Sequence, residues 1–305
     1  MRGQTAILVA GPTASGKSAA ALRLARRLNG VVINADSMQV YRDLRVLTAR
    51  PSPEDERQAP HALYGHVDAA RRYSVGEWLK DARAAAEEAW RQGRVPIFTG
   101  GTGLYFRALE EGLASIPPVS QEARRQVAQA AQGGVDALRE MALRLGLSRL
   151  PADRQRLARA LEVFLTTGRE LHTFHQEAQR PVLAADVAVA RVFIAPQREA
   201  LRERIAARFH AMLEHGAVEE VKALLSRGLD PSLPAMKAHG VRNIAAALRG
   251  EISMQQAAQG AINETRQYAK RQMTWARKFM RHWRWVDSAE QAALAAEEMH
   301  RKRET

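Results

Sequence analysis

An apolar run, Ala6-Ile7-Leu8-Val9-Ala10, ends at Gly11-Pro12-Thr13-Ala14-Ser15-Gly16-Lys17-Ser18, and an amphipathic stretch, Ala19 to Leu28, follows at once. The first stretch predicts a buried strand and the last a helix. A strand that passes into a helix through a glycine-bracketed loop ending in Lys-Ser permits few folds. It is the phosphate-cradling loop in the context that loop requires. Gly11 and Gly16 let the backbone wrap so that its N–H groups converge on one point, which faces the positive end of a helix dipole. Lys17 adds a compact charge, and the Ser18 hydroxyl is placed to ligate Mg²⁺. Lys17 is the only lysine before Lys80 in a chain that otherwise prefers arginine. The pattern predicts an oligophosphate ligand and leaves the reaction open.

Residues 1 to about 115 continue an alternation of strand-like and helix-like segments. Val31 to Asp36 is an apolar strand ending in an acid, and Leu63 to Val67 is a weaker strand candidate. Ser74 to Gln92 has helical spacing, with Val75, Trp78, Leu79 and Ala82 on one face. Val95-Pro96-Ile97-Phe98-Thr99 is another buried strand, and it runs into Gly100-Gly101-Thr102-Gly103 and a helix from Leu104 to Glu111. This rhythm predicts an α/β fold, a P-loop NTPase-like parallel sheet flanked by helices. Ligands of such sheets bind beyond the carboxyl ends of the strands. The segments at Gly11, Asp36 and Gly100 are therefore expected to meet at one site.

From Ile116-Pro117-Pro118 the strand pattern disappears. Helical runs at 121–132, 135–145 and 153–166 predict a helical insertion domain over 116–187, with an exit linker beginning at Arg180-Pro181. Residues 188–305 are expected to resume the core with a strand at 187–195 and to finish as a helical C-terminal part, apart from a short strand-like Trp285-Val286.

Composition narrows the function. The formal net charge of +13 points to a polyanionic partner, nucleic acid first. The absence of cysteine excludes disulfides, a thiol nucleophile and Cys-ligated metal sites. No apolar run approaches the roughly 18 residues of a membrane span, and no secretory signal is visible. The expectation is a cytoplasmic protein without a membrane partner, and a monomer, because no exposed apolar seam is evident.

Several residues outside the loop carry chemistry. Asp36 is expected to hang its carboxylate over the phosphate pocket as a general base or metal partner; the plainer reading is a cap for the turn at Ser37. The strand at 95–99 ends in threonine where many nucleotide hydrolases carry a magnesium-binding acid, so phosphate is bound without the usual hydrolytic equipment. Flexible glycines around Thr102 would bring its hydroxyl to a phosphate or bridging oxygen. At 100° per residue, Arg208 falls within the stripe of Leu201, Ile205 and Met212 on the helix 197–215. A guanidinium facing the core is costly without an anion, and a phosphate suits its bidentate geometry. On the helix at 263–280, Tyr268, Trp275 and Phe279 form a ridge expected to be core, and Arg266, Lys270 and Arg277 lie opposite. In the insertion, Leu157, Leu161 and Phe164 form a core stripe, while Gln155, Arg156 and Arg159 project elsewhere and are suited to bases and phosphates. These residues alone leave a small-molecule kinase open.

The loop at 11–18, Asp36-Ser37-Met38-Gln39-Val40-Tyr41, Gly100 to Phe106, Gln155 to Glu162, Arg208 to Leu213 and Lys270 to Trp275 together resemble, in order and spacing, the tRNA dimethylallyltransferase family. The resemblance implies transfer of a dimethylallyl group from dimethylallyl diphosphate to N6 of adenosine 37 of tRNA, beside the anticodon, in tRNAs reading codons that begin with U. It implies Asp36 as the base, Thr102 on the oxygen bridging the allyl carbon to diphosphate, and Arg208, Lys17 and Mg²⁺ on the leaving group. It makes Asp36 to Gln39 with Thr102, Arg124, Gln155 to Arg159 (Leu157 and Ala158 included), Lys237 to Arg242 with Gly240, and Arg266, Lys270, Arg271, Gln272 and Arg277 contacts of the anticodon stem-loop. One position departs: Val241 stands in Gly240-Val241-Arg242 where many relatives carry tyrosine, which puts an aromatic stacking contact there in doubt.

Overall fold

A computed structural model describes residues 4–114, 116–174 and 181–302. Arg180 of the expected exit linker lies outside the described residues. In chain order the elements are β1 (Thr5–Ala10), α1 (Lys17–Arg27), β2 (Gly30–Asn34), α2 (Pro53–Gln58), β3 (His61–Ala62), α3 (Val75–Arg91), β4 (Val95–Gly100) and α4 (Gly103–Glu111). Then come α5 (Gln121–Ala130), α6 (Gly134–Arg144), α7 (Arg154–Thr167) and the short α8 (Leu171–Phe174). The chain closes with β5 (Ala188–Ile194), α9 (Arg198–Glu214), α10 (Ala217–Ser226), α11 (Val241–Leu248), α12 (Met254–Phe279), β6 (Arg284–Val286) and α13 (Ala289–Arg301).

The described strands form one parallel sheet in the order β3-β2-β4-β1-β5-β6. Its central strands are apolar on both faces because helices cover both. Ala6 to Val9 of β1 and Ile97 and Phe98 of β4 are wholly buried. Leu24 of α1 and Ala292 and Ala296 of α13 join one core with Ile7, Val9 and Ile97. Register decides where the loops emerge. Ala10 pairs with Gly100, and Thr99 pairs with Asn34, so the segments after β1, β4 and β2 leave the same sheet edge side by side.

α3 starts at a capping box between Ser74 and Glu77 and buries Trp78, Leu79 and Ala82, as its spacing predicted. The Trp78 indole stacks on Tyr105 at 3.9 Å and donates to the Asn34 carbonyl (2.9 Å), which fixes the end of β2. The strand expected at 63–67 lies instead at His61–Ala62. Leu63 has φ +64°, and Asn34 Nδ2 holds its carbonyl (3.0 Å), so the extended run stops there. α12 begins nine residues before its expected start at Asn263, at a Ser253–Gln256 capping box. Its buried stripe is mostly alanine, so the aromatic ridge lies beside the packed face.

The chain forms two compact units, Met1–Glu110 with Val182–Thr305, and Glu111–Pro181. The first boundary falls near Glu110 rather than at 115, and the second near 182 rather than 187. Val182 and Leu183 are buried, and the Leu183 N–H donates to the Leu109 carbonyl (3.0 Å), which ties the returning chain to the sheet unit. The helical unit has its own core of Val127, Leu138, Ala142, Leu157, Ala160 and Leu161.

The end of β4 tolerates no side chain at Gly100, where a Cβ would stand 2.1 Å from the Ala35 carbonyl oxygen. Gly100→Ala must push β2 and β4 apart, and is expected to lower stability by about 1–3 kcal/mol, seen as a lower urea midpoint.

Candidate active site

The loop between β1 and α1 has the predicted form. Gly16 caps α1 in the left-handed region (φ 92°) with no side-chain cap, and no acid stands in the first turn to cancel the helix dipole. Space, as much as conformational freedom, demands Gly11: a Cβ there would meet Ser15 Oγ at 2.5 Å and the Ile194 carbonyl at 2.9 Å. Lys17 reaches back to the Pro12 carbonyl (3.3 Å). Its pKa is lowered to about 8, chiefly by burial, with Asp36 opposing the shift and Arg208 adding to it. Ala14 also takes a left-handed conformation (φ 63°), and Ser18 is exposed in the first turn of α1. Thr13 is held from two sides. Its N–H donates to Gln272 Oε1 (2.9 Å), and its hydroxyl accepts from the Arg208 guanidinium.

Asp36 stands two residues beyond β2, in a turn rather than in the strand itself. Asn34 Oδ1 accepts the Asp36 N–H (2.9 Å), and Asp36 Oδ1 accepts the Met38 N–H (2.9 Å). The capping reading therefore accounts for one carboxylate oxygen. The half-buried residue lines a cavity with its carboxylate oriented by that turn. Thr102 binds the same turn: its Oγ1 accepts the Ser37 N–H (3.0 Å) and lies 3.3 Å from Ser37 Oγ. The expected flexibility of the flanking glycines needs correction, because each is filled space. A Cβ on Gly101 would meet Gln272 Nε2 at 2.1 Å, and one on Gly103 would meet the Trp275 indole at 2.2 Å.

Thr13, Asp36, Ser37 and Met38 face a cavity of about 230 Å³, whose lining does not include Lys17, Thr102 or Gln272. Its polar side holds Thr13, Asp36, Arg208, Lys237, His239 and Arg271. Its apolar side is built from Leu47, Ile205, Phe209 and Met212, and Tyr268 stands between α12 and the His239 ring, 5.0 Å away. Arg208 lies in the stripe the helix arithmetic indicated, and burial lowers its pKa while Asp36 pulls it up. The His239 pKa is likewise lowered by burial, with Glu264 at 3.8 Å opposing the shift. The wall carrying Leu47 and Thr48 is pinned from behind. The Glu220 carboxylate accepts the N–H groups of Arg45, Val46 (2.8 Å) and Leu47 (2.9 Å), and Gln39 Nε2 donates to the carbonyls of Thr48 (2.8 Å) and Ala49 (2.9 Å).

Sequence reasoning missed Tyr268, Leu47 and Phe209 as wall residues and held His239 only as part of the expected tRNA-contacting stretch 237–242. Tyr268 had a usable signal, since it shares a helix face with Arg271 and Gln272. Other expected contacts are differently placed. Gln39 spends its amide N–H groups inside the protein, and Gln272 is 9% exposed with both amide atoms bonded internally. Val241 is 1% exposed at the start of α11, so that position is core and the missing aromatic leaves no gap in the wall. Gly240 (φ 92°) packs against Phe209 and Leu47, where a Cβ would lie 2.9 and 3.1 Å from their side chains. Arg266 is half-buried and donates to the Arg202 carbonyl (3.4 Å), unlike the exposed Lys270, Arg277 and Arg242. Arg271 is also exposed and lies over the Tyr268 ring (5.6 Å). Trp275 and Phe279 are half-buried and pack on each other at 4.4 Å beside the buried alanine stripe, and Tyr268 is turned to the cavity, so the ridge is not the core it was expected to be.

In the helical unit, Asp153 caps α7 by accepting the Arg156 N–H (2.9 Å), and Gln155 and Arg156 are exposed in the first turn. Arg159 pairs with Glu162 (3.5 Å), while Arg124 and Ala158 are half-buried. Leu157 is wholly inside that unit's core, so its side chain cannot serve as an RNA contact.

A model of the IPP transferase family matches residues 39–279, and one of isopentenyl transferases matches residues 4–64. The tRNA dimethylallyltransferase of Nitrobacter hamburgensis is 54% identical over 293 residues, covering 94% of this chain and 92% of that protein. That of Beijerinckia indica is 53% identical over 285 residues, covering 92% and 94%. The tRNA isopentenylpyrophosphate transferase of Bacillus halodurans superposes with a TM-score of 0.69 at 28% identity, over 99% of this chain and 100% of its own. A eukaryotic dimethylallyltransferase acting on tRNA superposes with a TM-score of 0.75 at 26% identity, over 93% of this chain and 74% of its own. With a parallel sheet of P-loop NTPase-like form, this chain belongs to the IPP transferase family, the tRNA dimethylallyltransferases.

Proposed function

We propose that this chain performs its family's transfer to tRNA by moving the dimethylallyl group of dimethylallyl diphosphate to N6 of adenosine 37, in tRNAs that read codons beginning with U. The observation that carries this reading is one carboxylate, Asp36, sharing a cavity with Arg208 and Thr13 of the phosphate loop. An exocyclic adenine amine is a weak nucleophile because its lone pair is delocalised into the ring. Rate must then come from stabilising the leaving group and from removing a proton at the right moment.

In this reading the diphosphate lies in the loop 11–18, against its free N–H groups, Lys17 and Arg208. The Thr102 hydroxyl faces the oxygen that bridges carbon and phosphorus. The N6 lone pair forms the new C–N bond, the allylic C–O bond breaks, and its electron pair leaves with the diphosphate. The Asp36 carboxylate takes the proton from N6. Adenosine 37 must leave the anticodon stack to reach the cavity. A divalent metal fits through one protein hydroxyl, the exposed Ser18. Among the described residues no group of three or more acidic, His or Cys side chains forms a metal cage. Mg²⁺ would rest on Ser18 and the diphosphate's own oxygens, where it would neutralise charge.

The anticodon stem-loop is assigned to the exposed basic side chains Arg242, Lys270, Arg271 and Arg277, with Lys237 in the cavity wall. In the helical unit it is assigned to Gln155, Arg156, Arg159 and Arg124. The exposed large apolar residues, such as Leu104, Leu143 and Leu294, are scattered, which supports a monomer. Among the described residues no helix is long and apolar enough to cross a membrane. A tRNA substrate places the work in the cytoplasm.

Nucleoside analysis of tRNA incubated with the protein, dimethylallyl diphosphate and Mg²⁺ tests the reading; unmodified adenosine 37 ends it. Asp36→Asn keeps an acceptor for the Met38 N–H but removes the base. Turnover is expected to fall about 10²–10⁴-fold with tRNA affinity within twofold of wild type. Only protonated Lys17 attracts the diphosphate, so donor affinity is full below pH about 8 and weakens as pH rises through that value. Plotting KM for the donor against pH should show that break, and Lys17→Arg should remove it. Affinity for tRNA should decline steeply with salt, on a log–log slope that shrinks by about one when Arg277 is made alanine.

A further inference from the structure

Gln272 projects from α12 between two loops that the chemistry must hold in register. Its Oε1 accepts the Thr13 N–H (2.9 Å), and its Nε2 donates to the Gly101 carbonyl (2.8 Å). Thr13 belongs to the phosphate loop and takes Arg208 on its hydroxyl, while Gly101 immediately precedes Thr102. The space for this amide is reserved by the absence of a side chain at Gly101. A buried amide satisfied at both ends acts as a strut, since its loss would leave a donor on one loop and an acceptor on the other without partners.

We infer that Gln272 is a positioning residue that sets the spacing between the diphosphate cradle and the Thr102 hydroxyl, and is not itself a contact of the RNA. This rests on the transfer reading above. In this arrangement the Thr13 N–H is spent on fixing the loop and is not offered to a phosphate.

Gln272→Met keeps much of the side chain's bulk and removes both hydrogen bonds. Titration calorimetry with inorganic diphosphate and Mg²⁺, without tRNA, is expected to show Kd raised about tenfold. In turnover, KM for dimethylallyl diphosphate should rise and kcat should fall. The Kd for tRNA measured without donor should stay within twofold. Gly101→Ala pushes the amide aside from the opposite loop and should reproduce these changes. The double variant should be no worse than either single one. Gly101→Ala also carries the test should Gln272→Met fail to fold. Gln272→Glu should recover activity as pH falls, because a protonated carboxyl can accept from Thr13 and donate to Gly101. Diphosphate affinity unchanged or tightened in both Gln272→Met and Gly101→Ala overturns the inference. So does a tenfold loss of tRNA affinity with diphosphate affinity intact, which would make Gln272 an RNA contact. A wild-type chain that binds diphosphate yet modifies no tRNA sinks the transfer reading alone; the strut is then judged on the diphosphate titration.

Discussion

The proposed transfer needs groups from three separate stretches of chain at one place, and strand pairing brings those stretches together. β2, β4 and β1 are consecutive neighbours in the sheet, with Asn34 paired to Thr99 and Gly100 paired to Ala10. The turn at Asp36, the turn at Thr102 and the loop at 11–18 therefore start within a strand spacing of one another. Backbone contact keeps them there: Gly100 lies against Ala35, whose carbonyl also accepts the Thr102 N–H (3.3 Å). Asp36, Thr102 and Lys17 inherit their positions from that edge, and Arg208 and Gln272 reach it from the helices α9 and α12.

Charge arranged at this edge is costly in the free protein. Lys17 and Arg208 both lose hydration, both have lowered pKa values, and Asp36 is the carboxylate that relieves them. A multiply charged anion with several acceptor oxygens repairs that imbalance better than one carboxylate does. The same imbalance suits a reaction whose barrier lies in expelling an anionic leaving group. In the proposed transfer these cations would already be oriented where negative charge develops.

Much of this was legible without coordinates. The loop at 11–18, the strand ends at Ala10 and Gly100, the half-buried guanidinium of Arg208 on the apolar stripe and the helical character of the insertion follow from short-range patterns, because strand and helix periodicities are local. The misreadings share a cause. Gly101 and Gly103 look like flexible hinges until α12 places Gln272 and Trp275 on top of them. Gln39 and Gln272 look like RNA contacts until their amides are found bonded inside the protein, to backbone 9 and 10 residues away for Gln39 and 171 and 259 residues away for Gln272. Leu157 and Val241 sit within basic, RNA-like stretches yet point into cores.

The order of apolar and polar residues by itself determined that this chain builds a parallel α/β core with a phosphate loop at its edge. It also determined that a helical segment interrupts that core, since periodicity and glycine placement act over a few residues. Tertiary structure alone decided which side chains face the cavity and which brace it. A glutamine or a glycine has no fixed role until a distant helix supplies the partner that fills its hydrogen bonds or its empty space.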